Sequence, residues 1–181
     1  MEQNIKRCAV FGQNTMCFDW GFDEDDEYCG RMKDKLLQEL VALRQQGVMD
    51  FLVACDHGVG LYAAELVLRL RQTDPKLALT CVIPHEEQST KWAPYLRERY
   101  FKVLEDCTGE EYISYEKQPD AQLLAYKRII DLADTVLTVF DDNAPSEGRV
   151  ETQARLYAEN LHKPILNLDP RTWKDRWAEL R

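Results

Sequence analysis

The chain has 181 residues, with 32 acidic and 23 basic side chains and a formal net charge of -9. This balance argues against a broad surface for duplex nucleic acid, which needs clustered Lys and Arg, so nucleic acid is not expected as a partner. The length predicts a single domain over residues 1–181. No stretch is long and apolar enough to span a bilayer, so no membrane partner is expected.

The cysteines and the N-terminal segment indicate the compartment. There is no C-x-x-C pair, and Cys8, Cys55 and Cys81 lie in apolar runs, where a free thiol behaves as a small hydrophobic side chain. The N-terminus lacks the apolar stretch of a signal peptide. A cytoplasmic location is therefore predicted. The histidines and cysteines show no metal-ligand spacing, so no metal site is predicted.

Short apolar runs, typical of buried strands, alternate along the chain with amphipathic stretches, typical of helices. In chain order the pattern predicts strands at 7–12, 51–55, 77–83, 111–115, 135–140 and 164–168. A helix is predicted after each strand, at 32–46, 61–72, 89–106, 119–133, 149–161 and 173–180, and Pro94 interrupts the third of these helices. This alternation predicts an α/β fold, a Rossmann-like doubly wound and mostly parallel sheet with helices on both faces.

The irregular segment 14–30 contains an acidic run at residues 23–27. Such a run is a solvated loop by default. It could instead gather a divalent cation, but contiguous acids lack the alternating spacing of a calcium-binding loop. The solvated loop is the preferred interpretation.

Ligands of open parallel sheets bind beyond the carboxyl ends of the strands, and four predicted strand ends carry distinctive residues. The candidate ligand-binding residues at these ends are Gly12, Gln13, Asn14, Asp56, His57, Gly58, Gly60, Glu87, Gln88, Lys91, Trp92, Asp141, Gly148 and Arg149.

Gly58 and Gly60 stand between a strand and a helix, where they would let a phosphate approach the amides of the helix N-terminus. The pattern falls short of the dinucleotide fingerprint G-x-G-x-x-G: Ala63 suits the third position, but Pro84 stands where an acid is expected. The Gly-Lys-Ser/Thr of a P-loop is also missing. An ordinary NAD-dependent enzyme and an ordinary NTPase are therefore not expected.

Four side chains have two interpretations each. Trp92 either stacks on a base or packs between helices. His57 is either a general base or phosphate donor, or only a turn residue. Arg149 either contacts an anion or is an exposed arginine after a loop. Glu65 is either a surface residue or a carboxylate that binds ribose or acts in acid–base chemistry.

The order and spacing of these positions resemble the YpsA-like family of the SLOG superfamily, Rossmann-like nucleotide-binding proteins related to LOG and DprA. The resemblance extends from the first strand to Pro170. It is carried by Gly58, Val59, Leu61, Ala63, Ala64, Glu65, Pro84, Glu87, Gln88, Trp92, Tyr100, Val103, Leu104, Ile130, Asp131, Ala133, Asp134, Gly148, Lys163, Pro164 and Ile165.

The resemblance implies a small-molecule ligand derived from a nucleotide, such as an ADP-ribose-like or NAD-like molecule or a nucleoside monophosphate, and a homodimer. Two departures concern catalysis. The Pro-Gly-Gly-x-Gly-Thr loop of LOG phosphoribohydrolases is replaced by residues 145–149. Gln13, Asn14 and Thr15 stand where Arg and Pro are frequent in the family.

Three hypotheses about function remain open. The first is a cytoplasmic nucleotide-binding protein that acts as a sensor or regulator, with a bound nucleotide as the only cofactor-like group. The second is a hydrolase of the N-glycosidic bond of a nucleotide, with Glu65 as the catalytic carboxylate and Glu87 or Asp142 as substitutes. The third is a protein-interaction module.

Overall fold

The computed structural model describes residues 4–143, 148–172 and 175–177. A short 3-10 helix at Thr15–Cys17 follows the first strand. In chain order the other elements are β1 (Lys6–Gly12), α1 (Glu27–Gln45), β2 (Val48–Val53), α2 (Val59–Arg71), β3 (Ala78–Ile83), α3 (Pro94–Asp106), β4 (Gly109–Tyr112), α4 (Ala121–Leu132), β5 (Thr135–Val139), α5 (Val150–Asn160), β6 (Ile165–Leu168) and β7 (Asp175–Trp177).

The strands form one sheet in the order β4-β3-β2-β1-β5-β6-β7. The first six strands are parallel to their neighbours, and β7 is antiparallel to β6. The chain adds β2, β3 and β4 on one side of β1, and then returns to place β5 and β6 on the other side. The strand order therefore reverses between β1 and β5, which is where ligands bind in sheets of this kind.

The predicted Rossmann-like, mostly parallel sheet is confirmed, and each predicted strand is present within a few residues of its predicted bounds. The helix predicted at 89–106 begins only at Pro94, a residue that the first turn of a helix tolerates. The helix predicted at 173–180 is wrong where the structure describes the chain, because Asp175–Trp177 form β7 on the free edge of β6. Residues 173, 174 and 178–180 lie outside the described residues.

The alternating side chains of the strands divide the core into two layers. On β1, Cys8 and Val10 pack with α1, α2 and α3 on one face of the sheet. Ala9 and Phe11 pack with α4 and α5 on the other face. Strands that are covered on both faces are apolar throughout, which explains their uniform sequence pattern.

Two acids of the run at 23–27 have structural partners. The Oδ1 atom of Asp26 accepts hydrogen bonds from the amides of Tyr28 and Cys29 and so caps α1. Glu24 forms salt bridges with Lys33 and Arg99 at 2.5 Å each. The run therefore begins α1 and holds segment 14–30 in place. Both roles go beyond the solvated loop predicted from the sequence.

In the described ranges, no helix is long and apolar enough to cross a membrane. The same ranges contain no group of three or more His, Cys, Asp or Glu side chains placed to hold a metal ion.

Candidate functional site

A cavity of about 400 Å³ lies at the carboxyl edge of the sheet. Its walls come from the segments that follow β1, β2 and β3 and from the N-terminal parts of α4 and α5. We call it the strand-end cavity, and it is lined by Asn14, Thr15, Asp56, His57, His85, Gln88, Trp92, Gln122, Tyr126, Gly148, Arg149, Val150 and Glu151.

The chain leaves β2 through an uncommon backbone turn just before Asp56. The preceding residue, Cys55, is buried and has a φ of 53°, in the left-handed region that non-glycine residues seldom adopt. The turn places the Asp56 carboxylate at the N-terminus of α2, where Oδ2 accepts a hydrogen bond of 3.2 Å from the Gly58 amide. Strain of this kind is held in place by surrounding structure and is concentrated at functional sites.

The other oxygen of Asp56, Oδ1, is buried and makes no hydrogen bond of regular geometry among the described residues, although the Gly60 amide and the Tyr126 hydroxyl interact with the same carboxyl group. Burial raises the pKa of Asp56, although His57 and the amides of Gly58 and Gly60 oppose the rise. A carboxyl group with a raised pKa and an unused acceptor is suited to bind a donor from a ligand or to exchange a proton.

The two glycines make room for side chains of the site. A Cβ atom on Gly60 would lie 2.2 Å from Asp56 Oδ1, and one on Gly58 would lie 2.6 Å from Thr15 Oγ1. From the sequence, we expect this space to admit a phosphate. In the structure the Asp56 carboxylate occupies the N-terminus of α2, so a phosphate contact through these two glycines stays a prediction.

Glu151 faces the same cavity from the first turn of α5. It is partly buried, and its Oε1 atom accepts a hydrogen bond of 3.1 Å from Asn14 Nδ2. Burial raises the pKa of Glu151, and the negative charge of Asp56 adds to the rise. The cavity thus contains two carboxyl groups that both hold protons more tightly than usual.

The N-terminus of α5 is open to the cavity. Gly148 has a φ of +76°, in the left-handed region that suits glycine, and Arg149 is the extended residue before the first turn. No described side chain caps the amides of this turn. Free helical amides beside a guanidinium form a suitable anion site, so this end of the cavity matches the expected anion contact of Arg149. Residues 145–147, where the loop departs from the LOG pattern, lie outside the described residues.

His57 and Trp92 form the aromatic side of the cavity. The His57 Nδ1 atom lies 2.8 Å from Thr15 Oγ1, and its ring meets the Trp92 ring edge to face at a centroid distance of 5.3 Å. Trp92 also contacts Tyr100 at 5.2 Å, so one of its edges packs on the core while the side chain remains partly exposed. The two interpretations of Trp92, stacking on a ligand or packing between helices, are therefore compatible.

Several polar atoms at this site lack partners. Gln88 donates from Nε2 to the Cys55 carbonyl at 3.1 Å, but its Oε1 atom is buried and unpaired. His85 Nδ1 and Gln122 Nε2 are likewise buried without a partner among the described residues.

The comparisons with known proteins agree with this fold and site. A family model described as the YspA SLOG family (YpsA) matches residues 9–172. The chain belongs to this SLOG family. The expected resemblance is thereby confirmed, and it covers the fold and every residue of the strand-end cavity.

Curated relatives in this SLOG family come from several bacilli. A UPF0398 protein of Halalkalibacterium halodurans is 33% identical over 118 residues, covering 63% of this chain and 61% of that protein. A UPF0398 protein of Bacillus cereus is 29% identical over 164 residues, covering 87% and 88%. The UPF0398 protein YpsA of Bacillus subtilis is 28% identical over 142 residues, covering 76% and 77%.

A solved structure shares the fold of this SLOG chain. DNA processing protein A from Helicobacter pylori, described in a study of its single-stranded DNA binding, superimposes with a TM-score of 0.59 and 14% sequence identity. The match covers 90% of this chain and 64% of the other.

Besides Gly60, which adjoins Asp56, eight of the residues predicted from sequence meet at or border the strand-end cavity, while three others have a different place. Gln13 and Asp141 are joined by a hydrogen bond of 2.8 Å from the Asp141 amide to Gln13 Oε1 and line a neighbouring cavity of about 360 Å³. Gly12 packs against α2, since a Cβ there would lie 2.5 Å from Val59 Cγ2. The eight residues are Asn14, Asp56, His57, Gly58, Gln88, Trp92, Gly148 and Arg149.

Glu65 lies away from the strand-end cavity, and its catalytic role stays a prediction. It lies on the outer face of α2, where Arg99 donates to both of its carboxylate oxygens at 2.7 and 2.8 Å. It lines the groove between α2 and α3 instead of the strand-end cavity. Glu87 is exposed, and neither it nor Lys91 lines the strand-end cavity.

Sequence reasoning missed five polar residues of the cavity, in addition to the apolar Val150. Glu151 had a detectable signal, because it is an acid in the first turn of a helix that follows a predicted strand. Tyr126 and Gln122 had none, since they come from α4, a helix that sequence alone cannot place over this edge. The five are Thr15, His85, Gln122, Tyr126 and Glu151.

Proposed function

We propose that the strand-end cavity binds a nucleotide-derived ligand, and that the chain acts through it as a sensor or regulator. One observation carries this proposal. Of the six buried side-chain polar atoms that make no hydrogen bond of regular geometry among the described residues, four belong to residues that line this one cavity: Asp56, His85, Gln88 and Gln122. Leaving such a group unpaired costs about 1–3 kcal/mol, so a polar ligand that pairs them would be strongly favoured.

The charges of the cavity suggest how a nucleotide would lie. Its phosphate would take the open N-terminus of α5 beside Arg149, away from the carboxylate that caps α2. Ribose hydroxyls would donate to Asp56 and Glu151, whose acceptors face the same space. The base would then reach Trp92 and Gln88.

The comparisons support a nucleotide-related ligand at the level of the family. They also reopen nucleic acid as a partner, because the DNA processing protein that shares the fold binds single-stranded DNA. The net charge of -9 argues against a broad duplex surface, but it does not argue against a single strand held at a local pocket. Single-stranded DNA therefore belongs in the ligand panel.

A thermal-shift panel tests the proposal with AMP, ADP-ribose, NAD and a short single-stranded DNA. A ligand at 100 times its dissociation constant adds about 2.7 kcal/mol of stability, which raises the Tm of a chain of this size by roughly 5–10 °C. At least one of the four probes should give this shift. If none raises the Tm at millimolar concentration, the proposal is wrong.

The two carboxyl groups favour a second candidate function, hydrolysis of the N-glycosidic bond of a nucleotide. One group would protonate the departing base, while the other, as a carboxylate, would stabilise the cationic ribose that water then attacks. Base release from AMP measures this activity, because the departing adenine must take up a proton. Glu151→Gln should abolish release and leave binding detectable, whereas unchanged release would exclude Glu151 as the acid or the stabilising carboxylate.

Two other expectations stay predictions. All six cysteines are free thiols, which supports a reducing compartment such as the cytoplasm. A homodimer is expected from the family and can be measured by light scattering of the purified chain.

A further inference from the structure

A second cavity, of about 420 Å³, adjoins the strand-end cavity. The two share His57 and Trp92 as lining residues, so these rings form a common wall. We call the second cavity the aromatic subsite, and it is lined by Phe22, His57, Lys91, Trp92, Ala93, Tyr95 and Leu96.

The aromatic subsite differs chemically from its neighbour. It has no carboxylate among its lining residues, whereas the strand-end cavity has Asp56 and Glu151. Its aromatic rings are open to solvent, with Phe22 41% and Tyr95 48% exposed. Lys91 adds a cation at the same place. Exposed rings beside a cation form the kind of surface on which a nucleobase stacks while its phosphate is neutralised.

The walls of the subsite are held in place before any ligand arrives. Trp92 is fixed edge to face against Tyr100, and His57 is fixed by its contact with Thr15. Phe22 packs on His57 at a centroid distance of 5.1 Å. Two residues further along, Glu24 anchors the same segment through its salt bridges with Lys33 and Arg99. A surface that is already ordered loses little entropy on binding.

We propose that the aromatic subsite, through Phe22, Trp92 and Tyr95, binds a second flat ring of the ligand. The ligand is then a dinucleotide, in which two nucleosides are joined through phosphate, and one nucleotide unit lies in each cavity. For this ligand the joining phosphates lie on the wall of His57 and Trp92 beside Lys91, whereas the phosphate of a mononucleotide lies at the N-terminus of α5 beside Arg149. This inference rests on the proposed function of the strand-end cavity.

Matched ligands test the inference with the whole chain. ADP-ribose and NAD differ by the nicotinamide ring alone, and AMP and the dinucleotide pApA differ by a second nucleotide joined through a phosphodiester. Stacking of one base on an aromatic side chain changes affinity by about 5- to 100-fold. In calorimetry, NAD should therefore bind at least about 5-fold more tightly than ADP-ribose if the link is a pyrophosphate. The dinucleotide should show the same gain over AMP if the link is a phosphodiester.

Phe22→Ala and Tyr95→Ala should remove this gain and leave the affinity for the shorter ligand of the pair unchanged. Both side chains are largely exposed, so the variants should fold. Tyr115→Ala is the matched control, because it removes an aromatic ring that is 75% exposed and lines neither cavity, and it should keep the gain.

If neither longer ligand binds more tightly, or if the gain survives in both aromatic variants, the aromatic subsite does not bind a second ring. The proposed function would still stand on the binding of AMP or ADP-ribose. If none of the four ligands binds, this inference fails, and if short single-stranded DNA does not bind either, the proposed function fails with it.

Discussion

The strand-end cavity and the groove between α2 and α3 both contain acidic side chains. Their pKa values are raised in the cavity, whereas in the groove cations stabilise the charged form. The groove is the larger, at about 1160 Å³, but three of the acids that line it, Glu65, Glu105 and Asp106, form salt bridges. Arg99 bridges Glu24 and Glu65, and Lys33 adds a second cation to Glu24. Burial alone would raise the pKa of Glu24, yet hydrogen bonds from Arg99 and Lys33 lower it below its usual value.

In the strand-end cavity the balance is reversed. Asp56 and Glu151 have raised pKa values because burial outweighs the groups that would stabilise their charge. Paired charges serve stability, whereas unpaired ones cost stability and are retained where a ligand uses them. The size of a cavity is therefore a poorer guide to the site than the state of its polar groups.

The largest expected effect comes from Gly60, because the Asp56 carboxylate occupies the place where a Cβ at this position would lie. Gly60→Ala should destabilise the chain, because the added methyl displaces Asp56 and overpacking costs about 1–3 kcal/mol. In an Asp56→Ala background the same change should stabilise by about 1 kcal/mol, since Ala is the better helix former. Urea unfolding of the two single variants and the double variant measures the coupling. Additive effects would show that Gly60 does not make room for Asp56.

A smaller loss is expected when the paired network is broken. Arg99→Met leaves Glu65 without the cation that holds it, and should cost about 2 kcal/mol, or roughly 4–8 °C in Tm. The network side chains are only 18–36% exposed, so solvent screens them in part.

Arg128→Met is the control for this network, because its salt bridge with Glu111 is more than 40% exposed on both sides. It should change stability by less than about 0.5 kcal/mol. Equal melting temperatures for Arg99→Met and Arg128→Met would show that the network around Arg99 contributes no more stability than an exposed salt bridge.

The smallest effect is a gain in stability that depends on pH. A carboxyl group whose pKa is raised on folding contributes stability below its unfolded pKa, and this contribution is lost as the pH rises through the folded pKa. Asp56→Asn should therefore melt a few degrees above the wild type at pH 8, a gain of about 1 kcal/mol. The difference should close as the pH falls towards about 4, the ordinary pKa of Asp.

Asp74 provides a control of opposite sign, because its hydrogen bond from Arg44 lowers its pKa. Asp74→Asn should melt below the wild type at pH 8, and this difference should also close at low pH. If Asp56→Asn behaves like Asp74→Asn, the Asp56 carboxylate is satisfied and the comparison of the two regions is wrong.

The fold was predictable because its signals are local. Uniformly apolar strands, amphipathic helices and Pro94 at a helix start each depend on neighbouring residues. The C-terminal segment failed for the opposite reason, since pairing with the edge of β6 decides its structure and no local pattern shows it.

The site was predictable only in part. Residues directly after strands, such as Asp56 and Trp92, could be placed at one edge of the sheet from sequence alone. The direction of a helical side chain could not, so Glu65 was assigned to a cavity that it does not reach. Glu151 lies in the first turn of α5 and does reach it, whereas Glu65 lies in the middle of α2.

We expect the strand-end cavity, in which burial raises the pKa of both Asp56 and Glu151, to be the ligand site. Calorimetry with ADP-ribose tests it most directly in the wild type, Asp56→Asn and Glu65→Gln, the last being a carboxylate removed from the α2–α3 groove. Asp56→Asn should weaken binding by about 10- to 100-fold, the worth of a hydrogen bond to a charged group, and Glu65→Gln should leave it unchanged. Weaker binding in Glu65→Gln with unchanged binding in Asp56→Asn would show that the ligand does not bind in the strand-end cavity.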